Sequence, residues 1–141
     1  MPFGKANSSK IFCFWVTNWC AAFRYHFNKR VTWNFALESY VDDVFGGACT
    51  YDNALKLKTE IINTGKITTA KVNIKKCHGP SQRLQILGMI YDAKQKRCTL
   101  PHAKVSKYTA RINAVLSARK ITSKECEKLV GNLVWASYVE P

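Results

Sequence analysis

The stretch Val31-Thr32-Trp33-Asn34-Phe35-Ala36-Leu37-Glu38-Ser39-Tyr40-Val41-Asp42-Asp43-Val44-Phe45-Gly46-Gly47-Ala48-Cys49 decides how the chain is read. Its residues are mostly β-branched, aromatic or small, two adjacent carboxylates stand near its middle, and Gly46-Gly47 follows shortly after. Such a segment predicts two short strands folded back around a tight turn: β-branched and aromatic side chains suit a pleated surface, and Asp and Gly suit the reversal. Tyr40-Val41-Asp42-Asp43 then lies at the bend.

Upstream, Asn7-Ser8-Ser9 are capping residue types, and the bulky apolar residues after them cover a wide helical face, so a long helix is expected over Ala6 to Phe27. Trp15, Trp19, Phe23 and Trp33 are expected in the core rather than as stacking platforms for bases. Downstream, Ala54, Leu55, Leu57, Ile61 and Ile62 recur at helical intervals over Asp52 to Asn63, and Gly65 stands where a C-cap glycine would end that helix.

Farther on, Lys71-Val72-Asn73-Ile74-Lys75 alternates as a half-exposed strand does, and Leu84 to Tyr91 supplies one more strand through Gln85-Ile86-Leu87-Gly88-Met89-Ile90. Pro101 breaks the chain, after which Val105, Tyr108, Ile112, Val115 and Leu116 form a helical stripe over Lys104 to Ala118. Thr122-Ser123-Lys124-Glu125 resembles a capping box opening a last helix, with Leu129, Val130, Leu133 and Val134 as its apolar positions. Helices on one side of a small antiparallel sheet make the expected fold class α+β. At 141 residues and 47% hydrophobic, the chain can bury one modest core, as a single domain or a piece of a larger one.

The chemistry concentrates at Tyr40-Val41-Asp42-Asp43. Neighbouring carboxylates on a hairpin turn direct oxygen ligands into a small volume, which hard divalent cations such as Mg²⁺ require. Two such ions about 4 Å apart activate an attacking hydroxyl and stabilise the leaving oxygen of an in-line phosphoryl displacement. The competing reading is an ordinary turn, in which Asp side chains accept hydrogen bonds from nearby backbone amides.

Twenty-two Lys and Arg against nine Asp and Glu give a net charge of +13 and a pI near 9.7. That balance suits a polyanion such as nucleic acid, or serves solubility alone. The longest apolar stretch, Ile11 to Phe23, is interrupted by Thr17 and Asn18, so no membrane span is expected. The amino terminus lacks the layout of a secretory signal, which places the expected location inside the cell, cytoplasmic or nuclear. Six cysteines without a C-x-x-C pair read as free thiols, and Cys77-His78 and the Cys98 to His102 pair have poor spacing for zinc.

Pro2-Phe3-Gly4-Lys5-Ala6-Asn7-Ser8, leading into a long helix that ends before the Tyr40-Val41-Asp42-Asp43 hairpin, resembles the reverse transcriptases of retrotransposons. Lys5 stands where that family usually has an apolar residue, and Ser9 where it usually has proline. Gly65 to Cys77 resembles the family's glycine, strand and lysine segment, and Leu87-Gly88-Met89-Ile90-Tyr91-Asp92 is similar to its primer-grip strand. From Leu100 the chain looks like the thumb and connection of tyrosine-recombinase-type retrotransposons or related long-terminal-repeat elements, through Leu129-Val130-Gly131-Asn132-Leu133-Val134-Trp135-Ala136.

The resemblance implies the carboxyl-terminal part of a polymerase palm over 1–92 and the start of the thumb over 93–141. It implies RNA-directed DNA synthesis, with Asp42 and Asp43 as ligands of two Mg²⁺ or Mn²⁺ ions. Pro2, Phe3, Gly4 and Tyr40 would lie at the nucleotide and primer pocket. Lys75 or Lys76 would face the departing pyrophosphate, by proton donation or charge neutralisation, unless it is only a solvated lysine at a strand end. Leu87 and Gly88 would grip the primer, unless they simply pack a strand. The implied partners are an RNA or DNA template-primer, a deoxynucleoside triphosphate, and the rest of a polyprotein: fingers, a further palm strand and RNase H.

The family holds its metals with an additional aspartate from an earlier strand. The resemblance begins inside a motif, so that aspartate and the fingers are not expected here, and the chain is expected to be inactive alone, as a fragment or a decaying element copy. Ten Lys or Arg against two Glu between Lys94 and Lys128 favour a phosphate-tracking surface. That leaves a non-catalytic nucleic-acid-binding module as the second reading.

Overall fold

Val16, Cys20, Phe23 and Phe27 recur at helical spacing, and in the computed structural model, which describes residues 8–68, 70, 72–118 and 120–139, they are the buried stripe of α1 (Ser8–Asn28). They meet Leu37 of β1 (Phe35–Tyr40) and Leu57 of α2 (Tyr51–Ile67), with Trp19, Val31, Trp33, Phe35, Val44 and Ile61 packed around them. Phe27 makes edge contacts to Trp33 and Phe35 at ring separations of 5.7 and 5.2 Å, a geometry aromatic rings prefer. Trp15 does not join this core. It lies to one side of the buried stripe, 40% exposed, and stacks on Phe12.

β1 pairs antiparallel with β2 (Asp43–Ala48) in the register Leu37↔Gly46 and Tyr40↔Asp43, as the central stretch predicts. Gly46 and Gly47 are not part of the turn. They lie inside β2, and an added Cβ on Gly46 would come within 2.7 Å of the Ala36 carbonyl oxygen. α1 packs on β1 and α2 on β2. Arg24 fastens α1 to the hairpin by donating to the Leu37 carbonyl at 2.9 Å and to Glu38 at 3.1 Å. Thr50 caps α2 by accepting from the Asn53 amide.

Gly65 is not a C-cap. The helix runs on to Ile67, and Gly65 is a buried position within it, where an added Cβ would stand 2.6 Å from Val72 Cγ2. Close packing, rather than a left-handed backbone, is what requires glycine there. The strand expected over Lys71 to Lys75 is absent among the described residues, which do not include Lys71. Ile74–Lys76 form a single 3₁₀ turn, closed by Lys76 N–H to Asn73 and Cys77 N–H to Ile74. Alternation makes a strand only where a neighbour supplies a hydrogen-bonding ladder, and here the backbone bonds close locally.

The chain divides into two compact units, Met1–Ser81 and Gln82–Pro141. In the second, the expected single strand is a hairpin. β3 (Arg83–Ile86) pairs with β4 (Met89–Asp92) across Leu87 and Gly88, both at positive φ (51° and 77°), as two-residue hairpin turns demand. β5 (Arg97–Thr99), which the alternation did not single out, pairs with β4, so there are two small antiparallel sheets rather than one.

α3 (His102–Ser117) starts after Pro101 and packs on α4 (Ser123–Ser137). The α4 stripe differs from expectation. Val130, Leu133 and Val134 are 51, 43 and 50% exposed, and the half-buried positions are Leu129, Asn132, Trp135 and Ala136. In α3, Val105 and Leu116 are likewise exposed, while Tyr108, Ile112 and Val115 are half-buried. Four helices and two antiparallel sheets make the fold α+β, and no helix among the described residues is long and apolar enough to cross a membrane.

The capping box forms as the sequence suggests: Thr122 Oγ1 accepts from the Glu125 amide, and Glu125 accepts from the Thr122 amide at 2.8 Å. These bonds hold the Glu125 carboxyl below its ordinary 4.5. Its contribution is therefore complete above that value and fades as the pH falls through the lowered one. Thr122→Ala should cost about 1 kcal/mol of stability, measured by urea unfolding. Glu125→Gln, which removes the titrating carboxylate, should flatten the acid-side loss of α4 helicity seen by circular dichroism, and an unchanged acid limb would disprove the coupling.

Candidate functional site: an acidic hairpin turn

Two residues, Val41 and Asp42, close the β1–β2 hairpin, and Asp43 begins β2 opposite Tyr40. Asp42 and Asp43 are both exposed, as are Tyr40 at 58% and Val41 at 43%. Neither carboxylate is in a side-chain hydrogen bond or ion pair among the described residues, so the turn-stabilising role of an ordinary Asp-Asp pair is not what occupies them. The base of the hairpin is supported from below: Leu37 is buried, Arg24 holds its carbonyl, and burial pushes the Cys20 thiol up.

Val41 adopts φ 55°, a left-handed conformation that a β-branched residue rarely takes. Neither periodicity nor composition marks this. Its side chain is largely in solvent, so little packing is lost on replacement. Val41→Asn should stabilise the protein by about 1 kcal/mol, the lower end of the strain such a residue stores. Chemical unfolding decides it, and a loss of stability would show that the Val41 side chain contributes more than its backbone costs.

Pro2, Phe3 and Gly4 lie outside the described residues. Lys75 and Lys76 are exposed on the 3₁₀ turn, which has no extensive packing against the hairpin. Leu87 and Gly88 are the turn of the β3–β4 hairpin in the second unit, and what approaches Gly88 there is the Lys104 side chain rather than another backbone. Mg²⁺ or Mn²⁺ would find two carboxylates at Asp42 and Asp43. No group of three or more His, Cys, Asp or Glu that could hold a metal forms among the described residues. The donors present therefore do not fit a two-metal centre by themselves. The six cysteines are free: Cys20 is buried, Cys13, Cys77 and Cys98 half-buried, Cys49 and Cys126 exposed.

Fold and site together define an α+β chain that presents an acidic hairpin turn on two helices, followed by a second unit of a small sheet and two helices, the first of them basic. No family model, no curated protein and no solved structure matches the chain.

Proposed function

We propose that the chain is part of a retrotransposon reverse transcriptase, palm over 1–92 and start of the thumb over 93–141, acting in template-directed nucleotidyl transfer. One observation carries the reading. A tight, exposed turn offers two adjacent carboxylates that no side-chain bond of the described residues occupies, on a hairpin held from below by two helices. Asp42 and Asp43 would supply part of the oxygen set for Mg²⁺ or Mn²⁺, which brings Lewis-acid stabilisation of a phosphoryl oxygen. Because these donors do not complete the centre, the chain alone is expected not to polymerise. Tyr40 borders the turn where a nucleotide or primer end would lie, and the exposed Lys75 and Lys76 are candidates to meet pyrophosphate.

The second reading, a non-catalytic module that binds nucleic acid, is favoured by the ten Lys or Arg against two Glu between Lys94 and Lys128. Primer extension on an RNA template with Mg²⁺ separates the two, comparing the chain with a version joined to polymerase fingers and the further aspartate strand. Activity is expected only in the completed protein, and Asp42→Ala should lower it on the order of a thousandfold or more. Inactivity of both, with steeply salt-dependent binding, would replace the polymerase reading with the binding module.

A further inference from the structure

Lys104 reaches from the first turn of α3 to the β3–β4 turn, where its side chain lies against Gly88, and its ammonium stands 5.6 Å from the ring centre of Trp135 on α4. Trp135 Nε1 and Asn132 Nδ2 are both covered from solvent and have no hydrogen-bond partner among the described residues. Asn132 and Trp135 are three residues apart on one helix, so their side chains share a face. The Lys104 ammonium likewise has no acceptor among the described residues. A tryptophan indole and an ammonium can only donate, and the unpaired atom of the Asn132 amide is its donating nitrogen, so three donors of this face lack an acceptor among the described residues. Buried donors without partners are costly and rare in native proteins, and a nearby cation raises the affinity of such a place for negative charge.

We infer that Lys104, Asn132 and Trp135 form an oxyanion seat in the second unit, and that its ligand is a phosphate group. The long, flexible lysine covers the seat against the Trp135 ring and swings to let the anion reach the two nitrogens behind it. α3, which carries Lys104, also holds Lys107 and Arg111 and no acidic residue, so the surrounding potential concentrates anions there. The phosphate could be free or esterified in a nucleic-acid strand. The seat needs only the phosphate oxygens, so it stands whether or not the acidic hairpin belongs to a polymerase.

Indole N–H resonances of the ¹⁵N-labelled chain, with Trp135 assigned through Trp135→Phe, test this on titration with inorganic phosphate and, separately, with an oligothymidylate. A saturable downfield shift of the Trp135 signal, with Trp15, Trp19 and Trp33 unmoved, is expected. A response to phosphate identifies a free or terminal phosphate, and a response to the oligonucleotide alone identifies a phosphodiester. Lys104→Gln should weaken binding at least tenfold with Lys104→Arg restoring it, while Lys128→Gln, which removes only surface charge, should leave it within twofold. Asn132→Leu should raise the thermal midpoint, by removing an unpaired amide, and weaken phosphate binding at the same time. No shift with either probe, equal shifts of all four indoles, or native phosphate affinity in both Lys104→Gln and Asn132→Leu would overturn the inference. Phosphate binding in a chain whose completed form fails in primer extension would remove the polymerase reading and leave the seat standing.

Discussion

Leu37→Ala should cost about 2–5 kcal/mol of folding free energy, the range for truncating a buried leucine whose surroundings cannot fully collapse. Leu37 is 1% exposed and sits where three elements meet: the α1 stripe of Val16, Cys20, Phe23 and Phe27, the hairpin it belongs to, and Leu57 of α2, 2% exposed. Few other side chains in the first unit are as fully enclosed, so neighbours cannot absorb the void without moving a helix. The consequence reaches the acidic turn, because an isolated two-stranded hairpin is marginal in water and β1–β2 depends on the helices beneath it. Urea unfolding reads the loss, and amide exchange at Ser39, Tyr40 and Val44 should accelerate with it. A loss below about 1 kcal/mol would mean that the helices close over the void and that the hairpin is held mainly by its own ladder. Leu57→Ala should behave alike, and the double variant should lose less than the sum, since both truncations open the same space.

Much of the first unit is readable from side-chain spacing alone. The α1 stripe, the central hairpin and α2 follow from local pattern, and the Thr122 capping box from four adjacent residues. What escaped the sequence depends on partners distant in the chain. Gly65 has the look of a cap, but Val72 explains it. Lys71 to Lys75 alternates, yet no strand among the described residues stands beside it to complete a ladder. Leu87-Gly88 reads as the middle of a strand because leucine is seldom a turn residue, and only the left-handed backbone at both positions reveals the reversal.

The α4 stripe is the plainest failure. Val130, Leu133 and Val134 are the apolar choice for a core, yet Asn132 and Trp135 are turned inward, and a moment drawn from hydrophobicity has no means of expecting that. At the acidic turn, residue identities were legible from one tetrapeptide. The strain at Val41 and the freedom of both carboxylates from turn bonds were not, because they are properties of backbone angles and of what neighbours leave unbonded.

Gly46→Ala should destabilise the protein by about 1–3 kcal/mol, the usual cost of inserting a methyl group into a packed region, although alanine normally loses less backbone entropy than glycine on folding. The added Cβ would meet the Ala36 carbonyl oxygen at 2.7 Å, Leu57 Cδ2 at 3.1 Å and Leu37 Cδ1 at 3.3 Å. The two leucine methyls can rotate by a few tenths of an ångström. The carbonyl belongs to the paired strand and moves only if the ladder between β1 and β2 opens, so the entropic gain is outweighed. Gly47→Ala is the control: nothing lies within 4 Å of its added Cβ, and its effect should be neutral or slightly stabilising. Combined with Leu37→Ala, Gly46→Ala should cost less than alone, because one of its three collisions is gone, but a residual penalty must persist from the carbonyl. Equal stability of Gly46→Ala and Gly47→Ala in urea would show that β2 shifts freely on α2. In that case the acidic turn is carried by a mobile hairpin rather than a fixed one.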